Sequence, residues 1–245
     1  MSAPGPALHS CGLWATREAK CLATIAHALK RLRDTPDLPE SEVELNRHLY
    51  FCLLEASREL YPEDEIAPVA ECNNQPDPDD EARARRELKR PDFQWIYLDR
   101  YEANARHSSK QFVVECKRLG KAVRADWVLN VNYAHHGIVR FKAPEWAYAK
   151  RVPSGAMIGY LQDMDASDVL SQVNEETRRN SLPDLTLVGK WNPGGLSRCE
   201  HTFERTFEMS PFKLHHLWID LRIRGTPDSF RSSKTGYGHV RVLPG

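Results

Sequence analysis

The sequence predicts an α/β protein, a central mixed β-sheet flanked by helices. Two observations carry this. The N-terminal part repeats apolar residues at helical spacing, and the rest sets short runs of β-branched and aromatic residues between polar loops and further helical stretches. A chain of 245 residues can bury one large core, or a main core with a small appendage.

From about Leu13 to Arg33, the residues Leu22, Ile25, Ala26, Leu29 and Leu32 mark one face of an amphipathic helix, which should end near Asp34, before Pro36 and Pro39. A second helix opens at Glu40 or Ser41, with Ser41 as its cap, and runs to about Leu60 on a stripe of Leu45, Leu49, Cys52 and Leu53. ECNNQPDPDD, from Glu71 to Asp80, is expected to be an exposed loop. Two strands follow, Asp92 to Leu98 and Gln111 to Cys116, joined by a segment too long for a tight hairpin. A helix over Asn132 to Trp146, weakened by Gly137 and Pro144, leads to a strand from Gly155 to Gln162 and a helix from Ala166 to about Asn180. LTLVGKW and HHLWIDLRI are further strands, and the tail from Gly225 is loop-like. The expected organisation is an N-terminal helical segment (1–36), a main domain (37–225) and a C-terminal tail (226–245).

The 34 basic and 34 acidic residues cancel, which argues against a general polyanion binder. Their distribution is uneven. Fourteen acids face two arginines between Asp34 and Asp80, then twelve basic residues face six acids between Glu81 and Arg124. RARRELKR could hold phosphates or form a solvated face. No apolar run approaches the roughly 18 residues that cross a bilayer, and MSAPGPALHSCGLW lacks the features of a signal peptide, so a soluble, cytoplasmic protein without a membrane partner is expected. The six cysteines are scattered without a CxxC pair, which suits reduced thiols. Cys199 and His201 could be half of a metal site that has no matching second half. The pairs His135/His136 and His215/His216 diverge too far to chelate and are expected to be packing or surface residues. Trp95, Tyr97, Trp127 and Trp146 could stack on bases, but aromatics on apolar elements more often belong to the core.

The stretch KRPDFQWIYLDRYEANARHSSKQFVVECKRLG places acids and a lysine on strands that otherwise look like core. Strand alternation puts Glu115 and Lys117 on one face, with Phe112, Val114 and Cys116 on the other. If the two strands are neighbours, Asp92 comes within a few ångströms of Glu115. Two carboxylates that close repel unless a positive charge lies between them. Magnesium, a hard ion held by one or two carboxylates and substrate phosphate, suits that place. Lys117 beside it could stabilise a pentavalent phosphorus, or orient or deprotonate the attacking water.

Pro91-Asp92 followed by Glu115-Cys116-Lys117 at the end of an apolar strand resembles the signature of the PD-(D/E)XK nuclease superfamily, the restriction-endonuclease-like fold. The resemblance implies that Asp92 and Glu115 bind metal, that the Cys116 carbonyl is a further ligand and that Lys117 is the catalytic lysine. Such families often add an acid from the helix before the PD strand. Of Glu40, Glu42 and Glu44, helical spacing selects Glu42, which starts the core-facing stripe, although an acid in a first turn also complements the helix dipole. Arg118, Lys121 and Arg124, just past the lysine strand, are candidate phosphate contacts or a solvated basic loop.

The segment YAHHGIVRFKAPEWAYAKRVPSGAMIGYLQ is similar to the helix-then-strand region of bacterial members, including ones from phage-defence settings. The likeness spans roughly Glu40 to Gln162, with HHLWIDLRI as a peripheral strand. It implies a magnesium-dependent endonuclease, with manganese as a substitute, that acts on DNA in anti-phage defence, alone, as a homo-oligomer or in a larger assembly. The alternative is a non-catalytic scaffold of the same fold that binds nucleic acid or a partner. A coincidental motif would require Glu115 and Lys117 to be solvent-exposed and far from Asp92.

Overall fold

The computed structural model describes residues 6–79, 83–207 and 209–222, with side chains described from residue 12 onward and not for 83 and 84. The expected tail (226–245) lies outside the described residues, as does Ile223.

Helix α1, Pro6–Arg33, buries Cys21, Ile25, Ala28, Leu29 and Leu32, one stripe at three- and four-residue spacing. Helix α2, Glu42–Leu60, begins where Ser41 accepts a hydrogen bond from the Glu44 amide at 3.3 Å, the expected cap, and buries Leu45, Leu49, Cys52, Leu53 and Ala56. The two helices pack on each other and on the sheet. α1 is tied to the strands by Trp14 donating to Ser154 at 2.9 Å and by Cys21 bonding the Tyr97 hydroxyl at 3.2 Å.

Seven strands form one mixed sheet. They are β1 (Val69–Ala70), β2 (Phe93–Leu98), β3 (Ser109–Leu119), β4 (Ser154–Leu161), β5 (Thr186–Leu187), β6 (Leu196–Phe203) and β7 (Phe212–Asp220), in the order β1-β2-β3-β4-β7-β6-β5. β3, β4 and β7 run parallel, and the outer pairs are antiparallel. All eight residues of β4 are buried, as expected for a strand covered on both faces. HHLWIDLRI is not peripheral: β7 pairs with both β4 and β6 in the sheet interior, and Leu217, Trp218 and Ile219, which alternate between its faces, are all buried, as for a strand covered on both faces.

The parallel β3–β4 pair demands a crossover, supplied by α4 (Leu129–Tyr133), a π turn (Ala134–Ile138) and α5 (Val139–Lys142). This starts earlier than Asn132 and stops before Pro144, which cannot continue a helix. Gly137 lets it press on the sheet: a Cβ there would lie 2.4 Å from Met157 Cε and 3.5 Å from Lys117 Cγ. A short helix α3, Arg83–Arg86, precedes β2, and α6, Ala166–Arg179, follows β4.

Two further expectations need correction. The Glu71–Asp80 loop is not wholly exposed: Asn74 and Asp77 are buried, and Asp77 takes Lys150 at 2.8 Å and Arg151 at 2.7 Å. Within RARRELKR, Arg86 is not a solvated face residue. It is buried and donates to the Gln75 carbonyl at 3.2 Å.

Candidate active site

Alternation along β3 puts Glu115 and Lys117 on the face beneath the π turn, as Gly137 against Lys117 confirms, while Phe112, Val114 and Cys116 face α1 and α2. In the antiparallel register Phe93 pairs with Val114, so the next step sets Asp92 opposite Glu115. There β2 ends and β3 continues. The β3 amides that would have bonded β2 are left without strand partners, and acids take them. Asp92 Oδ2 accepts from the Cys116 amide at 2.6 Å, and Glu42 Oε2 accepts from the Arg118 amide at 3.3 Å.

Glu42 arrives on the first turn of α2 and passes around the open edge of β3. Its other oxygen lies 2.8 Å from the Lys117 ammonium. Glu44 points elsewhere, toward Arg47 at 3.9 Å, and Glu40 offers only its carbonyl, to Gln162. Lys117 also lies 3.0 Å from Glu115 Oε1 and donates to the Cys116 carbonyl at 2.7 Å. Glu115 and Lys117 are 1% and 8% exposed, which rules out the coincidental-motif reading in its exposed form.

A second cation, absent from the sequence reading, completes the group. Arg140 on α5 donates to Glu115 Oε1 and lies 4.2 Å from the centroid of the Trp146 ring, over which Lys89 also sits at 4.1 Å. Trp146 is thus neither plain core nor open to bases. Arg140 stands 25 residues from Glu115, with no motif joining them. Its only sequence signal is a cation beside the inward-facing Phe141 on a helix that must cover the acid's face.

Burial, and after it the neighbouring Glu115, pushes the Asp92 carboxyl well above its usual range. Glu115 is likewise pushed up by burial, against the pull of Lys117 and Arg140. Burial opposes the charge on Lys117, but Glu115, Asp92 and Glu42 outweigh it and hold the ammonium protonated beyond its ordinary range. In this state Lys117 is a fixed positive charge and no base.

Three carboxyl groups meet two cations here, and burial disfavours the charged forms of Asp92 and Glu115. Glu115 Oε2 is buried without a hydrogen-bond partner. Hard oxygen donors, an orphaned carboxylate oxygen and carboxyl groups whose charge burial disfavours are of the chemistry a divalent cation takes, since a cation would favour their ionised forms. Among the described residues, however, no three His, Cys, Asp or Glu side chains are grouped closely enough to hold one, since Lys117 stands between Glu42 and Glu115.

The remaining predicted residues divide. Arg118 is partly buried, and Lys121 and Arg124 are exposed on the loop after β3. Cys199 and His201 are buried and share a face of β6. His216 bonds the Tyr133 hydroxyl at 2.7 Å, and His215 bonds Glu18 at 2.5 Å. Searches against protein-family models, curated proteins and solved structures each find no match for this chain.

Proposed function

We propose that this chain is a metal-dependent phosphodiester hydrolase of the restriction-endonuclease-like type, an endonuclease acting on DNA. The observation that carries the reading is the set of buried Glu115 and Lys117 with partly buried Asp92 at the point where β2 leaves β3, with Glu42 joining from α2. A buried Glu115 and Lys117 with an orphaned carboxylate oxygen cost stability, a cost that function explains better than packing does.

Asp92 and Glu115 would hold magnesium or manganese, with Glu42 and the Cys116 carbonyl at hand. The ion, when bound, supplies Lewis-acid charge to the phosphate and lowers the pKa of a bound water. Lys117 places its ammonium where negative charge develops on phosphorus. Arg140, held over the Trp146 ring, could offer its guanidinium N–H groups to a phosphate oxygen. By the sequence resemblance alone, the setting is defence against foreign DNA.

The test is cleavage of plasmid and single-stranded DNA with magnesium or manganese, by wild type, Lys117→Ala and Asp92→Ala. Metal-dependent cleavage lost in both folded variants supports the reading, and cleavage retained in both sinks it.

One observation favours a second reading, a non-catalytic scaffold. Asp92 and Glu42 satisfy the open amides of β3, and Lys117 and Arg140 share Glu115 Oε1, so much of the network closes on itself. No cleavage under any metal, with no rise of the wild-type melting midpoint on adding magnesium or manganese, would favour it. Among the described residues no helix is long and apolar enough to cross a membrane.

A further inference from the structure

Three residues past Lys117 the chain enters a tight loop, 120–128, that ends at α4. Its base is fixed on both sides. The Gly120 amide donates to Asn130 Oδ1 at 3.0 Å, and the Lys121 amide donates to Asp163 Oδ1 at 2.8 Å. Gly120 has φ +149°, and a Cβ there would fall 2.1 Å from Asp163 Oδ1, so only glycine permits this anchorage.

The loop then turns back on itself. Trp127 donates its amide to the Arg124 carbonyl at 2.9 Å, and Val123 donates to the Trp127 carbonyl at 3.0 Å. Arg124 and Trp127 form an antiparallel bridge, which puts their side chains on one face.

A rigidly based loop of this kind displays apolar groups outward. Trp127 is 43% exposed and Val123 58%, whereas the other five tryptophans are buried or partly buried. Arg124 lies 5.9 Å from the indole centroid, the outer limit of such a contact, and is paired with Asp126 at 2.8 Å. Lys121, exposed on the same loop, adds positive charge. An open indole among cations matches a ligand with both a flat π face and phosphates.

We propose that the 120–128 loop is a stacking platform for an unpaired nucleobase, with Trp127 taking the base and the loop cations Lys121 and Arg124 the flanking phosphates. The ligand is single-stranded DNA or the frayed or flapped part of a duplex, because paired bases hide their faces within the stack. The proposal rests on the hydrolase reading for the class of ligand. Binding without turnover tests it separately.

The experiment measures the anisotropy of a short fluorescein-labelled single strand of mixed sequence, and of the blunt duplex it forms with its complement, in EDTA. Wild type, Trp127→Ala and Trp127→Phe are compared, with melting midpoints as the fold control. The expected result is single-strand binding weakened about tenfold by Trp127→Ala and kept by Trp127→Phe, with duplex affinity unchanged and Trp127 fluorescence quenched on binding. Equal affinity in wild type and Trp127→Ala overturns the proposal. So does a parallel loss for both ligands, or binding of neither, the outcome expected if the loop serves a protein partner. A stacking signal without metal-dependent cleavage would remove the hydrolase reading and leave the platform standing, and cleavage without the stacking signal would do the reverse.

Discussion

The Lys117 ammonium lies 3.0 Å from Oε1 of Glu115, two residues back on the same strand, and both side chains are buried. Replacing Lys117 by methionine leaves the acid with Arg140 alone. We expect Lys117→Met to lose about 3 kcal/mol in urea melts, the usual cost of stranding one partner of a buried pair. Adding Glu115→Gln should restore most of that. Cleavage should fall at least about a hundredfold in both variants, because the double substitution repairs the fold without replacing the charge.

Asp92→Asn keeps an oxygen to accept the Cys116 amide and removes a carboxylate that burial and Glu115 disfavour. Without metal, the variant should be as stable as wild type or more so, by about 1 kcal/mol. Magnesium or manganese should raise the melting midpoint of wild type, and chelation should reverse the rise, since a ligand that binds only the folded chain stabilises it. Asp92→Asn should show no such rise.

Arg140→Lys keeps a cation beside Glu115 and loses the guanidinium contact with Trp146. About 1 kcal/mol of stability should go with it. If Arg140 also grips phosphate, the Michaelis constant for DNA should rise and grow more salt-sensitive, which steady-state cleavage at two ionic strengths would reveal.

His201 is buried on β6, both ring nitrogens lack hydrogen-bond partners, and burial pulls its pKa down to about 4. A histidine in the unfolded chain titrates near 6.5. The folded pKa is therefore depressed, and the unfolded state binds the extra proton between those two values. Stability is full above about pH 6.5 and is lost as pH falls toward 4, by about 2 kcal/mol at pH 5. Urea melts at pH 8 and pH 5 should show this loss, and His201→Leu should reduce it, leaving the part contributed by His216, whose pKa burial also holds down.

The sequence revealed what obeys a clear period. Ser41 and the α2 stripe, the two strands around Asp92 and Glu115, and the wholly buried β4 were all legible. β6 was not, although it alternates cleanly: its inward residues are Ser197, Cys199, His201 and Phe203, and a hydrophobic scale hides Ser197 and His201. The exposed loop reading failed at Asp77, whose partners Lys150 and Arg151 lie more than seventy residues away. Glu42 could be chosen among three acids because helical geometry is local. Arg140 could not be found, because only the crossover brings it to Glu115.

The acids that take over from β2 have a consequence for how the site can be watched. The Cys116 and Arg118 amides end on carboxylates instead of on a neighbouring strand. Anything that draws Asp92 or Glu42 away must change the electronic surroundings of those two protons. Their nitrogen and proton resonances, in a uniformly labelled sample, are therefore a built-in gauge of what occupies the cluster, readable one residue at a time and without any reaction taking place.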